Sequence, residues 1–191
     1  MNEDIEKKVI LEGDFEDIIQ IKNHYYIVSK KNRVIVLPYS IDSKGLLDKI
    51  GVIKDYNYIF EEYDYTLLND YINEDDGTNL VAANRVLYNT TKLNITNADD
   101  WMYLGSLYNN LTSDSVVELY CVNITDKEIK ENEEFSKNPN FKMIDSSLII
   151  TSDDTLLLAG FLRLWNYFYV NSLNKKVIKN DNIPLNNNNN E

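Results

Sequence analysis

Hydrophobic positions in this chain change period several times, and each change marks an expected element. Leu80, Ala83, Leu87 and Thr91 recur at spacings of three and four, so they share one face of a helix. Ala82, Val86, Asn89, Thr90 and Leu93 lie around a neighbouring face. Asp75, Asp76 and Gly77 form a turn signal ahead of this pattern, and Thr78 is a good N-cap, so the helix is expected to begin at Asn79. Shorter apolar runs flank it. Asp17 to Lys22, Tyr25 to Ser29 and Arg33 to Tyr39 read as strands, the last two joined through Lys30-Lys31-Asn32 as a hairpin. Leu46 to Tyr58 is a strand candidate around Gly51, and the short apolar stretch Thr66 to Ile72 leads into the helix. Trp101 to Tyr108 and Ser115 to Ile124 read as further strands, and Phe141 to Ile150 contains another, FKMI. Met1 to Lys8 is a charged lead-in, Glu61 to Tyr65 is acidic and aromatic, and Asp126 to Lys137 is charged and helical at its start.

The last patterned segment is different. Ser152, Asp153 and Asp154 cap a helix expected from Thr155 to about Val170, with acidic residues at the end that suits the helix dipole. Its apolar residues, Phe161, Leu164, Trp165 and Phe168 among them, surround nearly the whole circumference. The helix is too short for a membrane span and is interrupted by Arg163 and Asn166. A helix apolar all round must be buried on more than one side. One side is expected to meet a sheet. The other is either a contact with another chain, through Phe161, Leu164, Trp165 and Phe168, or a surface covered by the N-terminal segment. Beyond Asn171 the chain turns polar and ends near a run of asparagines from Asn186 to Asn190. The expected organisation is therefore one domain over 1–172 and a polar tail over 173–191.

Composition narrows the function. At 43% hydrophobic and 26% charged residues over 191 positions, the body is globular and large enough to bury a core. A net charge of -12 disfavours a nucleic-acid backbone binder, which needs a basic face, and attraction to an anionic membrane. The single cysteine, Cys121, allows no internal disulfide and sits in an apolar run as a core residue. The charged N-terminus carries no secretory signal, which fits a protein made in the cytoplasm. The single histidine, His24, stands beside two tyrosines at a strand start and reads as structural; no nucleophile elbow, P-loop or dinucleotide glycine fingerprint accompanies it. Glu61, Glu62 and Asp64, with Asp75 and Asp76 beyond, form either a metal site or an exposed acidic loop. Glu131, Glu133 and Glu134 pose the same choice between a base and a solvated face.

The stretch Ala82-Ala83-Asn84-Arg85-Val86-Leu87-Tyr88-Asn89-Thr90-Thr91-Lys92-Leu93 resembles the Nudix box, G-x5-E-x7-R-E-U-x-E-E-x-G-U with U a bulky aliphatic residue. Both alanines, the arginine, the following leucine, the threonine and the last leucine match. Trp101, Gly105 and Tyr108, and then Asp154-Thr155-Leu156 with Ala159 and Leu162, resemble the family's later segments. The resemblance implies an α/β fold, an α/β/α sandwich around a mixed sheet. It also implies cleavage of a diphosphate linked to another group, with divalent metal ions held by the box glutamates.

Those glutamates are missing. The position after the motif arginine is Val86, and the paired positions are Asn89 and Thr90. Gly77 stands at the outer glutamate, Tyr71 at the opening glycine and Lys92 at the closing one. Valine offers no ligand, whereas a carboxylate–cation pair is worth about 4 kcal/mol at a screened dielectric. In this frame Arg85 holds a loop or a helix end. The reading that follows is a non-catalytic module for structure or protein interaction, with no cofactor, whose partner or second copy meets the C-terminal helix. The Asn-, Ile-, Tyr- and Lys-rich composition resembles that of low-GC bacteria and their phages, so a virion component is one setting. Two alternatives stay open: a metal-dependent hydrolase of nucleoside-diphosphate-linked substrates that uses relocated carboxylates, and a nucleotide-binding module without turnover.

Overall fold

The computed structural model describes residues 7–57, 61–108, 114–124 and 139–180. Its first three strands, β1 (Lys7–Glu12), β2 (Glu16–Ile21) and β3 (His24–Ser29), form an antiparallel sheet in chain order. Lys22 and Asn23 make the turn between β2 and β3, with Lys22 at φ 55°. The hairpin expected across Lys30-Lys31-Asn32 does not form, because β3 pairs with β2 and the next strand, β4 (Arg33–Ile41), enters a second sheet. The reason lies in β4 itself. Residues Val34 to Ser40 are buried without interruption, and a strand apolar on both faces belongs at the centre of a covered sheet.

That second sheet has seven strands. Five follow the order β10-β5-β4-β9-β8, where β5 is Leu47–Asn57, β8 Trp101–Tyr108, β9 Val116–Asn123 and β10 Phe141–Asp145. β4 runs parallel to β9, from Arg33↔Val117 to Tyr39↔Asn123, and the remaining pairs are antiparallel, so the sheet is mixed. β4 and β5 pair only between Tyr39↔Ile50 and Ile41↔Leu47, then diverge. The gap is filled by β6 (Glu62–Thr66), which continues along β5, and β7 (Leu68–Tyr71), which continues along β4. Leu67 is buried at the handover between them.

Among the described residues two helices cover the faces of this sheet. α1 (Asn79–Thr91) packs Ala82, Ala83, Val86 and Leu87 against Val34, Val36, Leu68 and Val122. α2 (Thr155–Asn180) packs Leu157, Phe161 and Leu164 against Ile35, Leu37, Val117, Leu119 and Cys121. Adjacent residues of β4 thus serve opposite layers, as the period of two requires, and the result is an α/β/α sandwich. Gly160 lets α2 lie close to the sheet: a Cβ there would meet Leu67 at 3.3 Å and Leu119 at 3.5 Å. Cys121 lies in this layer as a core residue, and burial pushes its thiol up to about 12.

Several boundaries differ from the sequence reading. β1 was hidden in the charged lead-in, because KKVILE takes its strand form from pairing with β2 rather than from an apolar period of its own. β6 arises in the acidic, aromatic stretch for the same reason. α2 starts at Thr155 as expected, with Asp154 Oδ1 accepting from the Leu157 amide at 2.8 Å, but it runs on to Asn180, past the end expected near Val170. Glu131, Glu133, Glu134 and the asparagine run lie outside the described residues. Among the described residues no helix is long and apolar enough to cross a membrane.

Candidate functional site

The stretch from Tyr71 to Leu93 forms the end of β7, a loop and α1. Thr78 adopts an extended backbone and its Oγ1 accepts from the Val81 amide at 3.2 Å, which starts α1. At the other end Lys92 takes the left-handed conformation (φ 63°, ψ 8°) and its amide donates to the Tyr88 carbonyl at 2.8 Å. This is a turn that glycine adopts without penalty, and it occupies the position of the motif's closing glycine. Gly77 also has positive φ, 68°, at the end of a short 3-10 turn over Glu74–Asp76.

Arg85 makes four hydrogen bonds. Its Nε donates to Asp76 Oδ1 at 2.7 Å and its Nη2 to Asp76 Oδ2 at 2.9 Å, a bidentate grip. Nη1 donates to Asp70 Oδ2 at 2.7 Å, and Nη2 also to the Tyr71 carbonyl at 2.8 Å. Asp76 Oδ2 accepts in addition from the Asn73 amide at 2.7 Å. The Asp76 side chain is only 5% exposed. The Arg85 guanidinium, opposed by burial and assisted by the Asn73 amide, holds the Asp76 carboxyl below the usual 3.8. The same contact makes Arg85 hold its proton more firmly than an ordinary arginine. One side chain thereby ties α1 to the end of β7 and to the loop that follows.

The loop is also anchored to the first sheet. Phe15, in the connection between β1 and β2, stacks on Tyr71 with ring centroids 4.5 Å apart and planes 10° apart. Lys31 lies over the outer ring at 5.7 Å and Arg33 over the inner one at 5.4 Å. Tyr71, at the motif's opening glycine position, thus carries a packing role.

Val86, Asn89 and Thr90 point to different surroundings. Val86 is 3% exposed and sits in the layer between helix and sheet. Asn89 is exposed. Thr90 is half-buried and its Oγ1 donates to the Val86 carbonyl at 3.1 Å. The metal that the box resemblance implies does not fit this set, which offers one apolar side chain and two neutral oxygens where hard cations require carboxylates. No metal-dependent step is derived for it.

Among the described residues, the carboxylates singled out in the sequence do not gather around Val86, Asn89 and Thr90. Asp76 is consumed by Arg85, and Asp75 and Glu61 are exposed. Glu62 and Asp64 instead meet Asp55, Asp153 and Asp154 around a cleft of about 530 Å³ between β6 and the start of α2, with Tyr56 and Tyr65 in its walls. Asp55 and the two α2-cap aspartates were missed as members of this group because they come from segments far apart in the sequence. Among the described residues, no three His, Cys, Asp or Glu side chains lie close enough to hold a metal as placed.

The four residues expected as interface candidates on α2 do not share one exposed face. Phe161 and Leu164 are buried in the core, and Phe168 packs edge-on against Tyr39 with centroids 5.5 Å apart. The sheet takes the face holding residues 157, 161, 164 and 168, while the candidate Trp165 is exposed together with Leu162 and Tyr169. Trp165 and Tyr169 stack at 5.1 Å. Beside them Leu46 and Ile150 help line a groove of about 360 Å³.

The fold is shared with solved structures of low sequence identity. It is similar to an ADP compounds hydrolase, with a TM-score of 0.57 at 12% identity over 87% of this chain and 93% of that one. It is also similar to NrtR from Shewanella oneidensis complexed with a 27mer DNA, with a TM-score of 0.51 at 15% identity over 63% of this chain and 53% of that one. A second structure of Shewanella oneidensis NrtR gives the same score and identity over 64% and 55%. The chain spans about half the length of NrtR. No family model matches the chain, and no curated protein matches it in sequence. The architecture is a Nudix-like α/β/α sandwich with a mixed sheet.

Proposed function

We propose that this chain is a Nudix-like scaffold that acts by binding a protein partner and does not hydrolyse substrates at its box helix. The observation that carries the reading is Val86, which places an apolar side chain in the helix–sheet layer where the motif has a metal-binding glutamate. Arg85 supports it, because four of its five donors go to Asp76, Asp70 and the Tyr71 carbonyl. The exposed Leu162, Trp165 and Tyr169 supply the partner surface. The DNA bound by NrtR is not carried over, since a net charge of -12 repels a phosphate backbone. The Asn-rich composition is what supports a phage or virion setting.

A second reading rests on the cleft lined by Asp55, Glu62, Asp64, Asp153 and Asp154, whose carboxylates would have to act in place of the box. Calorimetric titration with Mg²⁺ or Mn²⁺ and ADP-ribose, alongside a phosphate-release assay, separates the two. The scaffold reading expects neither metal-dependent heat nor release above a protein-free blank. Turnover abolished by Glu62→Gln or Asp64→Asn would establish the second reading and overturn the first.

A further inference from the structure

α2 has a third face, apart from the one on the sheet and the one holding Leu162, Trp165 and Tyr169. Arg163, Asn166, Tyr167 and Val170 recur at spacings of three, one and three, so they share it. With Tyr103 and Leu104 of β8 they line a groove of about 450 Å³. The groove follows an open edge of the central sheet, where β8 pairs with β9 alone. It lies on the α2 side of that sheet, away from α1 and the box positions.

β8 is shaped to hold a cation there. Its register slips between Tyr103 and Gly105, and Gly105 has φ 93°. Arg163 Nη1 donates to the Leu104 carbonyl at 2.9 Å and Nη2 to the Ser106 carbonyl at 3.2 Å. A Cβ at residue 105 would stand 3.0 Å from Nη1, so the bulge and the glycine together make room for the guanidinium. Two neutral carbonyls fix its position and leave its charge uncompensated. Among the described residues no carboxylate reaches Arg163 within ion-pair distance, in contrast to Arg85 with its two aspartates. Glu118, on the neighbouring strand, accepts instead from Tyr103 Oη at 2.5 Å and Ser106 Oγ at 3.1 Å. Of the five N–H donors of Arg163, three remain for a ligand.

We propose that this groove binds a small molecule that carries one carboxylate on a planar ring. The carboxylate meets the remaining donors of Arg163, with the exposed Asn166 amide beside them, and the ring lies against Tyr103 and Tyr167. Those two rings are 52% and 45% exposed and form walls of the groove. Its volume falls in the range of small-molecule sites, about 300–1,000 Å³. A single negative charge suits it, because one cation faces the groove and Glu118 would repel a second charge. The chain's other acidic groups act weakly here, since salt screens exposed charges beyond about 8 Å.

Proton–nitrogen correlation NMR of the full chain, titrated with sodium benzoate, tests the proposal. Benzamide serves as the neutral isostere and acetate as the ringless carboxylate. Benzoate is expected to shift the Arg163 Nε–H signal and the amides of Tyr103, Asn166 and Tyr167 saturably, with a dissociation constant on the order of 1 mM. Benzamide and acetate should each bind at least about tenfold more weakly. Arg163→Gln should remove the shifts, but it also breaks the two bonds to β8. Asn166→Trp, at an exposed position, fills the groove without touching those bonds and should abolish binding while the rest of the spectrum is kept. Trp165→Glu, on the neighbouring face, should leave binding intact. The absence of a saturable shift would overturn the proposal. So would equal binding of benzamide, binding that survives either Arg163→Gln or Asn166→Trp, or shifts centred on α1.

Discussion

The guanidinium of Arg85 grips both carboxylate oxygens of Asp76, at 2.7 and 2.9 Å, across the loop that opens α1. The pair is largely withdrawn from water on the Asp76 side, so removing one partner strands the other. Asp76→Ala is expected to cost about 3 kcal/mol. Arg85→Lys should lose much of the same amount, because an ammonium cannot reproduce the fork or reach Asp70 at the same time. Urea denaturation checks both; midpoints within error of the wild type would show that the grip contributes nothing to stability.

The same pair gives an acid signature. Asp76 is held below 3.8 in the fold and returns to about its ordinary value when the chain unfolds. Above that range its carboxylate is charged in both states and its contribution is complete. As pH falls through the folded value, the native carboxylate takes up a proton and the contribution is lost. Below about pH 4 the wild type should therefore lose stability more steeply than Asp76→Asn. Parallel curves for the two proteins would contradict this.

Lys92 is a lysine in a glycine's conformation. A left-handed backbone costs an ordinary residue about 1 kcal/mol or more, and Lys92→Gly should recover about 1 kcal/mol. The loss of the contact between Lys92 Nζ and the Tyr88 ring, at 5.3 Å, subtracts from that gain. Thermal denaturation should show a rise in melting temperature; a fall would mean that the cation–ring contact outweighs the backbone relief.

Rebuilding the box should prove uneven. Val86→Glu places a carboxylate in an apolar layer and is expected to cost ~3 kcal/mol or more unless a metal compensates. Asn89→Glu lies on an exposed turn of the helix and should change stability by no more than about 0.5 kcal/mol. The two single variants, compared by chemical denaturation with and without Mg²⁺, measure how far this helix has been absorbed into the core.

α1 was legible because its signals are local. Thr78, Gly77 and the spacing of Leu80, Ala83 and Leu87 define α1 from a short window, and the structure places its cap and face accordingly. β4, β5, β8 and β9 were legible for a similar reason, as runs of apolar residues. The partners were not. Nothing in Arg33 to Tyr39 says that the neighbour is Val117 to Asn123 in place of the adjacent strand, and the KKN link suggested the wrong one. β1 and β6 become strands through pairing, so their own sequences carry little sign of it. The Arg85–Asp76 grip was half visible. The arginine was singled out, but the motif's spacing led to Gly77, one residue beyond the carboxylate it reaches. On α2 the apolar residues wrap the whole helix, so the sequence could not tell which arc meets the sheet.

The parallel pairing of β4 with β9 also sets an order of events during synthesis. Arg33 leaves the ribosome long before its neighbour Val117, and until then β4 is a strand apolar on both faces with one edge open. The first sheet and α1 can form early from nearby residues, but the central sheet must wait for a distant segment and bear the entropy of closing that loop. The nascent chain is thus most exposed to aggregation in the interval between these two strands, which is where a holding chaperone would act.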